Sequence, residues 1–237
     1  MTHPRCVALG EIGLDYHYDN SPRDVQQAVF RRQLKHAVRL EKPLVIHTRE
    51  AEEDTEKIMK EEVPKDYKVR HLHSSIFFIP PSFDPCLQNT QIHVHCFSDS
   101  PEFAARLLAH FPNLYIGITG NVLFPSPLPP APNSSSLFTG VITYSSNTNT
   151  STVISQMSSD SPSEPLRILL ETDARFMTPG NLYASLPASL KGKKLPLCHT
   201  AMIPWTAEFV AGVAGEGWDV DKVMREGRDN ARKMYGV

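Results

Sequence analysis

What most constrains this chain is a set of short apolar runs that alternate with helical stretches. Val7-Ala8-Leu9-Gly10-Glu11, Leu44-Val45-Ile46-His47, Ile92-His93-Val94-His95 and Ile168-Leu169-Leu170-Glu171-Thr172-Asp173 each read as a buried strand. Each run ends on a carboxylate or an imidazole. Between the first two, Ser21 reads as an N-cap with Pro22 at the first helical position. Val25, Val29, Leu34, Ala37 and Val38 would give that helix its apolar face, and Lys42-Pro43 would end it. Further helices are predicted at about 50–62, 100–110, 149–158, 204–214 and 219–235, with Phe103, Leu107 and Leu108 facing inward on the second of these. Leu114 to Ile118 reads as another strand. Alternation of this kind predicts a parallel α/β architecture. Residues at the C-terminal ends of such strands converge on one face of a βα barrel. Glu11, His47, His95 and Asp173 are therefore predicted to meet there, as a donor set suited to zinc, manganese or magnesium.

Composition narrows the partners. With 237 residues, 41% hydrophobic and 21% charged, the chain can bury one large core. A net charge of −2 gives no bulk attraction to nucleic acid, so any such substrate must be held locally. Cys6, Cys86, Cys96 and Cys198 form no C-x-x-C pair, which fits a reducing cytoplasmic or nuclear setting better than a disulfide framework. No apolar run approaches membrane-spanning length, and the first residues carry no signal pattern.

Two segments break the rhythm. Residues 69–91 and 121–140 carry no clean periodicity, and the second holds five prolines and a serine run. Both read as disordered insertions or as retained introns. Val69-Arg70 can be encoded by GTAAGA and Thr90-Gln91 can end in CAG, so unspliced sequence is compatible with the first.

Five ordered motifs resemble the TatD family of metal-dependent deoxyribonucleases. They are Gly10-Glu11-Ile12-Gly13-Leu14-Asp15-Tyr16, Val45-Ile46-His47-Thr48-Arg49, His95-Cys96-Phe97-Ser98, Tyr115-Ile116-Gly117-Ile118-Thr119-Gly120 and Leu170-Glu171-Thr172-Asp173-Ala174. Asn230-Ala231 with Tyr235-Gly236 resembles the family's C-terminal signature. His199 to Trp205 is more like a fungal branch named for interaction with an anaphase-promoting-complex subunit. The resemblance implies a TIM (β/α)8 barrel with two divalent metal ions near its mouth. Glu11 would bridge the metals, His47 and His95 would complete one site, and Asp173 would belong to the other while orienting or deprotonating the attacking water. The implied activity is hydrolysis of DNA phosphodiester bonds from a strand end, with metal-activated water as nucleophile. A further implied partner, from the fungal likeness, is a protein of a cell-cycle complex.

One departure bears on all of this. The family opens with an H-x-H pair on its first strand, and only ten residues precede Glu11 here. The chain is therefore expected to be an incomplete barrel, lacking its first strands, and to hold one metal ion where the complete fold holds two. The alternative is a catalytically impaired interaction protein. Asp15, Arg49 and Arg175 are candidate substrate-binding residues, each following a ligand-bearing strand or motif. His93 and Glu171 are read as turned away from the site, Cys96 as a small core residue, and Trp205 and Trp218 as helix-packing residues.

Overall fold

The computed structural model describes residues 3, 5–18, 20–65, 67–70, 87–89, 91–120, 144–160, 164–190, 195 and 197–236. The predicted insertion 121–140, and 71–86 with Thr90 of the other, lie outside the described residues. Two compact units are formed. One comprises Met1–Gly117, Arg167–Leu169 and Glu226–Val237, and the other Ile118–Leu166 and Leu170–Arg225.

The first unit is built on a parallel sheet. Its strands are β1 (Leu9–Asp15), β2 (Leu44–Arg49), β5 (Ile92–Val94), β6 (Leu114–Ile118) and β7 (Ile168–Leu170), in that spatial order, with β1 at one edge. Helices α1 (Arg23–Arg39), α2 (Glu52–Glu62) and α3 (Pro101–His110) follow β1, β2 and β5, which is the βα rhythm predicted from the sequence. Every residue of β5 and of β6 is buried, as in strands covered on both faces, whereas β2 alternates buried and half-buried positions. A short antiparallel pair, β3 (Lys68–Arg70) with β4 (Leu87–Asn89), joins the two ends of the first irregular segment.

Helix α1 corrects the sequence reading in two ways. Pro22 occupies the cap position with no side-chain hydrogen bond, so Ser21 is not the N-cap. The buried stripe runs through Phe30, Leu34 and Ala37, at i, i+4 and i+7, whereas Val25 and Val29 are 45% and 49% exposed. The two valines lie four apart on a stripe of their own. Val29 lines a groove of about 860 Å³ together with Gly10, Glu11, Arg32 and Arg39. Phe30 and Leu34 are larger than the valines, so turning them inward removes more apolar surface from water and sets the helix's rotation. Tyr67 fixes the far end of α1, its hydroxyl donating to the Ala37 carbonyl at 2.8 Å.

The C-terminal part of helix α6 (Val220–Tyr235) completes this unit. Met234 packs on Tyr115 and Leu169, and the Asn230 amide donates to the Ile168 carbonyl at 2.9 Å. The second unit contains α4 (Tyr144–Asp160), three 3-10 turns (Gly180–Ser185, Ala188–Leu190, Thr200–Met202) and α5 (Ile203–Ala214). Its small core gathers Leu182, Cys198 and Met202, with Leu195 and Trp205 against them, so Trp205 is a packing residue as predicted. Among the described residues no helix is long and apolar enough to cross a membrane.

Candidate metal centre

Period-two alternation along β1 and β2 builds the site. In β2, Leu44, Ile46 and Thr48 are buried, while Val45, His47 and Arg49 take the other face. In β1, Ile12 and Leu14 are buried and Glu11, Gly13 and Asp15 alternate with them. Glu11 and His47 were predicted at strand ends. Both lie inside their strands, because β1 continues through Asp15 and β2 through Arg49. Gly13 pairs in register with His47, and a Cβ at Gly13 would lie 1.8 Å from the His47 carbonyl oxygen. Its φ of +154° adds to the demand for glycine. That close approach is what brings the two strands' side chains together.

Glu11 is the meeting point. Its Oε1 lies 2.8 Å from His47 Nδ1 and its Oε2 lies 3.9 Å from His95 Nε2. His95 stands just past β5, its amide donating to the Ile46 carbonyl at 2.9 Å. The two separations run to different oxygens of Glu11, so the carboxylate faces each imidazole with its own oxygen. The donor set, one carboxylate and two imidazoles, fits a divalent cation with nitrogen and oxygen ligands. The other nitrogen of His47, Nε2, lies 3.4 Å from Asp15 Oδ2. The hydrogen bond with Glu11 raises the pKa of His47 above its ordinary value, against the opposing effect of burial.

Around this core, Asp15 Oδ1 accepts from the amides of His17 and Tyr18 at 2.9 and 3.2 Å. The Arg49 guanidinium lies over the Tyr18 ring, 4.9 Å from its centroid. His93 is not turned away from His95. Residues i and i+2 of a strand share a face, and the two rings meet edge-on with centroids 6.0 Å apart. The same rule removes the reason for setting Glu171 apart from Asp173. Cys96 is half-buried and adopts φ +50°, an uncommon conformation for a residue other than glycine.

Asp99 was not singled out in the sequence. It is buried, and its Oδ2 has no hydrogen-bond partner among the described residues. Burial, and then the neighbouring Glu52 carboxylate, push it up to about 7, against hydrogen bonds with Thr48 and the Glu50 backbone. Glu52 itself accepts from the Ser100 amide and hydroxyl at 2.7 and 2.5 Å. Only an acidic residue near a ligand motif could have hinted at Asp99, and such residues are common.

The remaining predicted residues belong to the second unit. Asp173 follows β7 with φ +40°. Arg175 is exposed, with its guanidinium 5.0 Å from the Phe176 ring centroid, and its carbonyl accepts from the Cys198 amide. The first unit thus brings together Glu11, His47, His95, Asp15 and Arg49.

The fold and the motifs along this chain are shared with a family of metal-dependent hydrolases. The model of the family described as TatD related DNase matches residues 1–129, and the chain belongs to that family. Along its whole length it is 38% identical to the human 3'-5' RNA nuclease TATDN2, of which it spans 24%. It is 30% identical over 75% of its length to the metal-dependent hydrolase YabD of Bacillus subtilis, spanning 49% of that protein. Over 49% of its length it is 45% identical to the deoxyribonuclease Tat-D of Schizosaccharomyces pombe, spanning 30% of it. The chain therefore spans at most about half the length of these relatives. Among solved structures it resembles the TatD homolog YJJV of Escherichia coli (TM-score 0.58, 21% identity, 97% of this chain and 64% of that one). It also resembles an amidohydrolase of Saccharomyces cerevisiae (TM-score 0.60, 19% identity, 96% and 64%). The fold class these share with the chain is α/β, of TIM-barrel type.

Proposed function

We propose that this chain is a metal-dependent nuclease that removes nucleotides from the end of a DNA strand. The observation that carries the reading is the Glu11 carboxylate, whose two oxygens face His47 and His95. A bound zinc, manganese or magnesium ion supplies Lewis acidity there, polarising a phosphoryl oxygen and lowering the pKa of water. Glu11, His47 and His95 would hold one such ion. Asp15 holds the far nitrogen of His47, fixing its tautomer and ring orientation. That role differs from the substrate contact first expected of it, since both of its oxygens already face protein groups. Arg49, on the face of His47, is placed to pair with a substrate phosphate. Asp173 takes its role as second-site ligand and proton acceptor from the family resemblance alone.

The test is cleavage of end-labelled single strands of DNA and RNA in magnesium, manganese or zinc, with Glu11→Gln, His95→Ala and Asp173→Asn alongside. Stepwise shortening of DNA that is lost in Glu11→Gln and His95→Ala supports the proposal. Preference for RNA, the substrate in the human relative's name, would move the substrate class and leave the chemistry standing. No cleavage in any cation would favour the interaction protein suggested by the fungal likeness of His199 to Trp205.

A further inference from the structure

The described ladder between β2 and β5 stops just short of the candidate ligands. It pairs Leu44 with Ile92, Val45 with His93 and Ile46 with Val94, and the His95 amide then donates to the Ile46 carbonyl. Past that point the chain leaves β5 through Cys96, at φ +50°, and the Phe97 amide donates to Gly117 of β6. Two carboxylates then link the segments that follow His47 and His95. Asp99, four positions after His95, is buried and accepts hydrogen bonds from the Thr48 side chain and the Glu50 backbone. Glu52, five positions after His47, accepts from the Ser100 amide at 2.7 Å and from the Ser100 hydroxyl at 2.5 Å. Each segment leaving a ligand-bearing strand thus sends one carboxylate to the other. Ser100 is also the N-cap of α3, its hydroxyl accepting from the Phe103 amide at 3.3 Å.

We propose that Asp99 and Glu52 form a reciprocal clamp that sets the separation of the His47 and His95 imidazoles, and so act as positioning residues for the metal centre. The inference rests on the reading of Glu11, His47 and His95 as ligands and adds what fixes their spacing. A metal–nitrogen bond of about 2.0 Å tolerates little displacement of an imidazole. On one side His47 is held by its register with Gly13 of β1. The clamp holds the other side, tying the residue after His47 to the segment after His95. Thr48 alternates with His47 and takes the opposite face of β2, so the clamp braces the strand without occupying the site. It also joins the first turn of α2 to the N-cap of α3. Packing alone does not account for these two residues. Burying a carboxylate beside a second one costs stability, and apolar side chains would fill the same space without that cost. What the carboxylates add is directional hydrogen bonding, which fixes a segment where apolar contact lets it slide.

The test measures metal binding rather than turnover. Zinc affinity by calorimetry and the visible absorption of the cobalt(II)-loaded protein are compared for wild type, Asp99→Ala, Asp99→Asn, Glu52→Ala and Glu56→Ala. Zinc affinity should fall about tenfold in Asp99→Ala and in Glu52→Ala, with a shifted cobalt band. Asp99→Asn keeps an oxygen that accepts from Thr48 and Glu50, and should retain both wild-type values. Glu56→Ala breaks a different link between α2 and α3, the bond from Arg106 at 2.6 Å, and should also retain them. Wild-type affinity and spectra in Asp99→Ala and Glu52→Ala overturn the clamp. So does an Asn variant as impaired as the Ala one, or an equal loss in Glu56→Ala, which would make the effect general to helix packing. If Asp99→Ala does not fold, Glu52→Ala against Glu56→Ala decides. Zinc that does not bind the wild type removes the ligand reading and the clamp together, whereas tight binding that ignores the clamp variants removes the clamp alone.

Discussion

His93 Nδ1 and the Tyr235 hydroxyl lie 2.6 Å apart although 142 positions separate them in the chain. Tyr235 is the last residue of α6, and the His93 ring stands edge-on to that of His95. The C-terminal helix thereby braces the strand that carries a candidate metal ligand. Tyr235→Phe removes the bond and keeps the ring. We expect about 1 kcal/mol of lost stability, from one hydrogen bond. We also expect a loss of zinc affinity of roughly tenfold, at the low end for residues that orient a ligand. Urea melts and zinc titrations check the two effects separately. A stability loss with unchanged zinc affinity would make the bond structural only.

Asp15→Ala is expected to weaken zinc binding about 10- to 100-fold, because the far nitrogen of His47 loses the carboxylate that faces it. Arg175→Ala, in the other unit, should leave zinc affinity unchanged. Calorimetric titration of both variants makes the comparison. Equal affinities in the two would remove Asp15 from the centre.

Gly13→Ala should prevent folding or cost several kcal/mol, since the new Cβ would lie 1.8 Å from the His47 carbonyl oxygen. Backbone cannot yield there as a flexible side chain could, and the positive φ adds strain. Soluble yield and circular dichroism report the outcome. A variant that folds and melts like wild type would show that β1 and β2 do not approach as described.

Asp99 gives a pH prediction. Its folded pKa of about 7 lies above the ordinary aspartate value of about 3.9, so the folded chain binds this proton more tightly than the unfolded one. The stability it contributes is present below about pH 4 and is lost as pH rises to about 7. The loss is on the order of 2–4 kcal/mol at most, since each unit corresponds to about 1.4 kcal/mol. Asp99→Asn should melt at a higher temperature than wild type at pH 8, with the difference shrinking at pH 5. Melting curves at the two values check this. A variant less stable than wild type at pH 8 would contradict the assignment.

Much of this was legible because helix and strand periods are carried by local residues. The helices at Glu52–Glu62, Pro101–His110, Ile203–Ala214 and Val220–Tyr235 stand close to where their apolar spacing put them. Strand ends were less legible. After Glu11 the sequence reads Ile-Gly-Leu-Asp, and Gly13 hides the alternation that continues to Asp15. Helix rotation was missed at α1, because Phe30 decides it and the valines alone suggest another face. The β3 and β4 pair is too short to show a period. The grouping of Glu11, His47 and His95 was readable from motif order, since parallel strands bring such positions together. The partnership of His93 with Tyr235 was not, because no local pattern links residues so far apart. Asp99 was hidden for a different reason: its character comes from burial beside Glu52, which composition does not reveal.

Calorimetric titration of the metal-stripped chain with zinc tests most directly whether Glu11, His47 and His95 hold a divalent ion. The wild type is expected to bind the ion, with affinity lowered at least 10-fold in Glu11→Gln and in His95→Ala while their circular dichroism stays unchanged. Zinc binding that is equally tight in both variants and in wild type would contradict it.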